Sequence, residues 1–157
     1  MKNISLTKKI KQFPYIFWFG LIITIFIFFL SFISIIWTPY DITVLNIQDK
    51  LIPPGNTLHL LGTDHFGRDI ASMIMLGAKT SLLVAFTATF LGIVLGVPLG
   101  LVAASRAGDP LDDIIMRGND LIFAFPALVI AILITAILGP SITNAIIAIG
   151  IFNIPVF

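Results

Sequence analysis

The sequence predicts an all-α fold: a polytopic transmembrane helical bundle. Three observations carry this reading. Hydrophobic residues make up 58% of the chain and charged residues only 11%, where a soluble domain carries about 25% charged. A chain of 157 residues with that composition has too little polar surface to coat a globule, so the bilayer is the solvent it suits. The mean hydropathy of +1.08 agrees. The apolar residues gather into four long uncharged runs, and no ionisable side chain interrupts any of them. The chain has no cysteine, so disulfide and thiol chemistry are excluded. The formal net charge of +1 gives no footprint for nucleic acid.

Tyr15 to Trp37 is the first run, 23 residues without a charge. At about 1.5 Å per residue it exceeds the roughly 30 Å hydrocarbon core of a bilayer. Tyr15, Phe17 and Trp18 crowd one end, Trp37 and Tyr40 the other, as an interfacial belt would. The run is longer than the roughly 7–15 residues of a signal-peptide core and no A-x-A site follows, so it reads as a retained anchor. Residues 81–104, 121–138 and 142–157 are the second, third and fourth spans. The whole chain, 1–157, therefore reads as one transmembrane domain.

Between the first two spans lies the segment 38–80. Pro39, Pro53, Pro54 and Gly55 predict extended chain and turns up to about residue 61. From about 64 to 79 the spacing predicts an interfacial helix, with Phe66, Ile70, Met73 and Ile74 on one face and Arg68, Ser72 and Lys79 on the other. Thr63 or Asp64 would cap it, Gly67 would fall in its first turn, and Asp64 would meet Arg68 one turn on. After the second span, Asp109 at the N-cap, Pro110 at N1 and Asp112 at N3 predict a helix that runs on into the third span.

Lys and Arg set the orientation. Lys2, Lys8, Lys9 and Lys11 precede the first span with no acid among them. Placing the N-terminus in the cytoplasm puts six basic residues inside, with Arg106 and Arg117, and three outside: Lys50, Arg68 and Lys79. The fourth span ends at Phe157 without a polar flank, and Asn144, Asn153 and Pro155 lie in it. The sequence thus reads as C-terminally incomplete, with the asparagines needing partners on further spans.

Within span 2, Ala88, Gly92, Gly96, Gly100 and Ala104 recur at every fourth position. Small residues in that register let helix backbones approach closely in lipid, and glycine costs about 1 kcal/mol in a helix interior, so the ridge reads as a packing surface. Pro98, Pro126 and Pro155 fall inside spans 2, 3 and 4. Such breaks serve moving parts in transporters and are also common in static membrane helices. Asp113, Arg117 and Asp120 share one helix face, either as a solvated helix start with weak ion pairs or as a polar contact with another subunit. His59 and His65 read as two exposed histidines, since a metal would need more ligands. Gly77-Ala78-Lys79-Thr80 lacks the full phosphate-binding loop pattern, and no catalytic triad or carboxylate pair stands out. The chain is therefore read as no enzyme, with no catalytic, cofactor or metal residues.

Several ordered motifs add a resemblance. Gly62-Thr63-Asp64, Gly67-Arg68-Asp69, Gly77-Ala78 and Ser81-Leu82 are followed by Asp112, Met116-Arg117, Asp120 and Ala124-Phe125-Pro126, then Gly139-Pro140 and Thr143-Asn144. In this order and spacing they resemble the C-type permease subunit of dipeptide, oligopeptide and nickel ABC importers, over roughly residues 39–157. Lys79 stands where that family usually has Arg. The resemblance implies the type I ABC importer permease fold, of which this chain would hold the N-terminal four of about six spans and stop before the EAA coupling loop. It implies a multi-pass protein of the prokaryotic inner membrane that forms half of a peptide pathway with a homologous B-type permease. Two cytoplasmic ATPase subunits would hydrolyse ATP, and an extracytoplasmic solute-binding protein would deliver substrate. The family-signature positions carried over are Gly62, Thr63, Asp64, Gly67, Arg68, Asp69, Arg117, Asp120 and Pro126, read as a structural corner and helix contacts, not as a substrate site. Cut before the coupling loop, the chain alone would be unable to couple ATP hydrolysis to transport. The alternatives are a non-ABC membrane transporter, which should place polar residues in its spans, and a structural membrane protein, which would leave the ordered motifs unexplained.

Overall fold

The computed structural model describes residues 14–157. The four N-terminal lysines that set the orientation lie outside the described residues. Five α-helices follow in order: α1 (Tyr15–Ile36), α2 (Ile70–Ser105), α3 (Pro110–Phe123), α4 (Ala127–Leu138) and α5 (Ile142–Asn153), the last continued by a 3-10 turn, Ile154–Val156. Among the described residues strand-like pairing is limited to one isolated bridge, between Thr63 and Asp69. The chain divides into two compact units within α2, one ending at Leu82 and the other starting at Leu83.

In the first unit, Pro14 sets an extended backbone immediately before α1, where its missing N–H costs nothing. α1 presents its Ile and Phe side chains outward around almost its whole circumference; only Ser31 and Ser34 are buried. A helix apolar all round suits lipid, not water. It ends where the Trp37 amide donates back to the Ile33 carbonyl.

α2 unites the expected interfacial helix with the second span into which it was expected to lead. It is one 36-residue helix, and it begins at Ile70, six residues later than the apolar spacing suggests. The cause is local. Gly62 and Gly67 take φ of +79° and +77°, a region that suits glycine, and Asp64 to Arg68 form a turn closed by the Gly67 amide on the Asp64 carbonyl at 3.1 Å. Gly67 is thus a turn residue, and the cap is Asp69: its Oδ2 accepts from the Ser72 amide and hydroxyl, both at 2.8 Å. Pro98 lies inside α2 without ending it.

The second unit holds the rest of α2 with α3, α4 and α5. α3 and α4 do not form one continuous span: they meet at a break bent by 83°. Proline disfavours helical backbone in the residue before it, and Pro126 has ψ of 135°, so the chain turns at Phe125–Pro126. Asp109 occupies the cap position of α3 but its side chain makes no capping bond; instead Asp112 accepts from the Gly108 amide at 3.0 Å. α4 and α5 pack against each other as a helical hairpin through Gly139, whose φ is +87°. Ser141 caps α5 by accepting from the Asn144 amide at 3.1 Å. Asn144 needs no other span: its side-chain amide donates to the carbonyls of Leu138 and Gly139 at 3.1 and 2.7 Å.

Two described helices, α1 and α2, are long and apolar enough to cross a membrane, or three crossings result if the bent α3–α4 pair counts as one. Of the four expected spans, the third is interrupted between Phe123 and Ala127 and the fourth is a shorter apolar helix. α4 alone, 12 residues, extends about 18 Å, and α5 has the same length.

Candidate functional site

In the first unit the signature residues Gly62–Asp69 build a tightly bonded corner at the start of α2. Residues 46–52 run beside 62–66, with the Asn46 amide on the Phe66 carbonyl at 3.2 Å, Leu51 on Asp64 at 3.1 Å and Thr63 on Ile52 at 3.1 Å. The Thr63 hydroxyl donates to the Asp49 carbonyl and accepts from the Ile52 amide, so one buried side chain ties both segments. A Cβ on Gly67 would collide with the Asn46 carbonyl, and one on Gly62 with the Ile52 carbonyl. These two glycines are required by close approach as well as by φ.

Asp64 holds this turn electrostatically. Its Oδ1 accepts from the Phe66 and Arg68 amides at 2.8 and 2.9 Å, and its Oδ2 takes the Arg68 guanidinium through Nε at 2.9 Å and Nη2 at 2.7 Å. Arg68 also lies over the Phe66 ring, 5.1 Å from its centroid. Burial pushes the Asp64 carboxyl up, but the Arg68 amide, its guanidinium and the Phe66 amide outweigh that and hold it at about 2. The carboxylate is therefore charged at neutral pH and fully engaged, a structural fork and not a proton carrier.

Deeper in the corner, sequence reasoning missed a participant. His59, read as exposed, is 5% exposed and bonds through Nδ1 to Asp69 Oδ1 at 3.0 Å. Its ring lies 4.5 Å from that of Tyr40. The Tyr40 amide donates to the Ser72 hydroxyl at 3.0 Å, and the Tyr40 hydroxyl to the Leu58 carbonyl at 2.7 Å. Asp69 and Ser72 are buried. Burial raises the Asp69 carboxyl, and bonds from Ser72 and His59 more than offset it, leaving it below the usual carboxylate range. The only advance signal was Asp69 ten residues from His59, which local periodicity cannot pair. His65 is exposed and stacks on Phe66 at 4.0 Å.

The set His59, Asp69 and Ser72 contains a catalytic-looking trio, but its geometry runs through the carboxylate: the serine donates to Asp69, not to the histidine. The Ser–His hydrogen bond of a catalytic triad is thus not formed here. No group of three or more His, Cys, Asp or Glu among the described residues is placed to hold a metal. A cavity of about 270 Å³ beside the network is lined by Tyr40, Asp41, Asn46, Asp49, His59 and Arg68 among others.

In the second unit the glycine face packs over part of its length. Ala88, Gly92 and Gly96 are buried. A Cβ on Gly92 would stand 2.6 Å from the Asn153 Cβ, and one on Gly96 would collide with the Ile154 carbonyl. Gly150 answers from α5, its position closed by Leu91. Gly100 and Ala104 are exposed, and the nearest atom to a Gly100 Cβ is the Phe157 oxygen at 3.8 Å. The ridge is thus closed at Gly92 and Gly96 and open beyond. Phe123 of α3 meets Phe152 edge-on at 5.7 Å. Arg117 and Asp120 are exposed on α3, and the ion pairs found among the described residues, His59–Asp69 and Asp64–Arg68, include neither. Pro126 marks the bend.

Residues 96–157 match the family model described as binding-protein-dependent transport system inner membrane component. The chain is 42% identical over 137 residues to the dipeptide transport system permease protein DppC of Alkalihalophilus pseudofirmus, covering 87% of this chain and 44% of that one. DppC of Haemophilus influenzae is 38% identical over 141 residues, 87% and 48% of the two chains. The glutathione transport system permease protein GsiD of Pectobacterium atrosepticum is 40% identical over 119 residues, 76% and 39%. The chain spans less than half the length of these relatives.

Proposed function

The chain belongs, through residues 96–157, to the family of binding-protein-dependent transport system inner membrane components, and on that premise we propose that it is a permease subunit of an ATP-driven peptide importer. The observation that carries this is the joint occurrence of the family match with relatives named as dipeptide and glutathione transport permeases at about 40% identity. The physical reading supports it: the helices are apolar and kinked or closely packed, and the polar clusters are saturated structural ones. A protein that lends a pathway and leaves hydrolysis to other subunits needs no nucleotide site of its own.

In this reading the chain pairs with a homologous permease to form the pathway. Cytoplasmic ATPase subunits drive alternation between two states, and a solute-binding protein delivers di- or oligopeptides from outside. The N-terminus lies in the cytoplasm, which puts the Gly62–Asp69 corner on the outer face and Asp109–Asp120 on the inner one. The corner and the glycine face are structural parts of this permease. Uptake of radiolabelled dipeptide in cells with the gene disrupted, and with it restored, tests the reading. Loss and recovery of binding-protein-dependent uptake is the expected result; unchanged uptake of dipeptide, longer peptide and glutathione alike would refute it.

A further inference from the structure

The loop between α1 and α2 exposes more aliphatic surface than a water-facing loop tolerates. Ile47 is 79% exposed, Leu60 77%, Leu58 66% and Leu51 64%. Large apolar side chains exposed together in one loop suit a contact with a partner or a membrane. Three observations select the membrane.

The loop is tethered at both ends to membrane-crossing helices. It leaves α1 at Trp37 and rejoins at Ile70, and the Tyr40 amide on the Ser72 hydroxyl holds the first turn of α2 beside the end of α1. Trp37 is itself exposed, as a residue at the lipid headgroups is. The loop therefore starts and finishes at interfacial depth. Secondly, several of its charged groups are turned on partners within the loop, although Lys50 is exposed. Asp64 and Arg68 pair, Asp69 is buried with His59, and Asp41 accepts from the Thr43 amide and hydroxyl at 2.8 and 2.7 Å. Thirdly, amides along the irregular backbone, those of Thr43, Asn46, Leu51, Leu58 and Thr63 among them, already have acceptors inside the loop. Irregular chain enters a low-water environment only when its backbone is satisfied internally.

We infer that the 38–69 loop lies in the membrane interface, with Ile47 and Leu60 inserted among the lipid headgroups and upper acyl chains as an anchor for the end of α2. The inference concerns placement and does not depend on what is transported. The absence of cysteine makes single reporters direct: Ile47→Cys and Leu60→Cys, with Phe26→Cys in α1 as the lipid reference, each carrying a nitroxide, in vesicles of palmitoyloleoyl phosphatidylcholine and no other protein. Collision rates with oxygen, which concentrates in lipid, and with a water-soluble nickel chelate are compared. The expected result is a shift of the oxygen-to-nickel ratio at both loop sites from the value of free label in buffer towards that at Phe26. A ratio at either site equal to that of free label in buffer would overturn the proposal and leave these side chains to a protein partner. Folding of each variant is checked independently by retained protection of the Thr63 and Asp64 amides from hydrogen exchange.

Discussion

Asp64 and Asp69 stand five residues apart and do different work. Asp64 closes a turn by gathering two amides and a guanidinium; Asp69 starts a helix and anchors a buried histidine. The first is open to a pH test. Its folded carboxyl is held at about 2, below the roughly 3.9 of an unfolded aspartate. A depressed carboxylate contributes stability that is complete above the unfolded value and is lost as pH falls through the folded one. The corner is thus expected to hold at pH 5 and loosen between about 4 and 2. Pepsin cleavage within residues 41–69, in detergent micelles across that range, reads the opening. Arg68→Ala should move its onset to higher pH, and an unmoved onset would show that the fork does not stabilise the turn. In the working importer, Asp64→Ala and Arg68→Ala are expected to lower folded yield without changing which substrate is taken, as measured by uptake competition.

At the scale of elements, the glycine face makes the sharpest prediction. Gly96 is closed by the Ile154 carbonyl, whereas Gly100 has ordinary contact at 3.8 Å. Gly96→Ala should therefore destabilise α2 against α5. Gly100→Ala should be neutral or gain up to about 1 kcal/mol from helix propensity. Thermal unfolding of the two variants in detergent decides; equal effects would mean that the α2–α5 contact is not where the ridge does its packing. The spacing of the five small residues was plain in the sequence, but which of them are covered was not, because coverage depends on the path of α5. The helix start was misplaced for a related reason. The expected cap is Thr63 or Asp64 and the observed one is Asp69; the two glycines that delay the start act through positive φ, which apolar periodicity does not register. Pro126 was recognised as a break, but the 83° bend follows from backbone geometry around Phe125 and not from residue type alone. His59 stayed hidden because its partner lies ten residues on, across a turn.

For the molecule as a whole, composition and uncharged runs were enough to fix a helical membrane protein, and the ordered motifs were enough to place it in its family. What local pattern could not supply was the size of the bend at Pro126, 83°. Topology is tested by placing cysteines at Asn56 and Asp109 in turn. An impermeant thiol reagent applied to intact cells should label Asn56→Cys and spare Asp109→Cys, and the reverse pattern would invert the proposed orientation. The central claim, a permease that lets an external binding protein control an internal ATPase, has a more direct test. Inner-membrane vesicles from cells with and without this gene are supplied with peptide-loaded binding protein, and ATP hydrolysis is followed. The account predicts stimulation by loaded binding protein only in vesicles from cells that carry the gene. Equal stimulation in vesicles from cells that lack it would contradict the account.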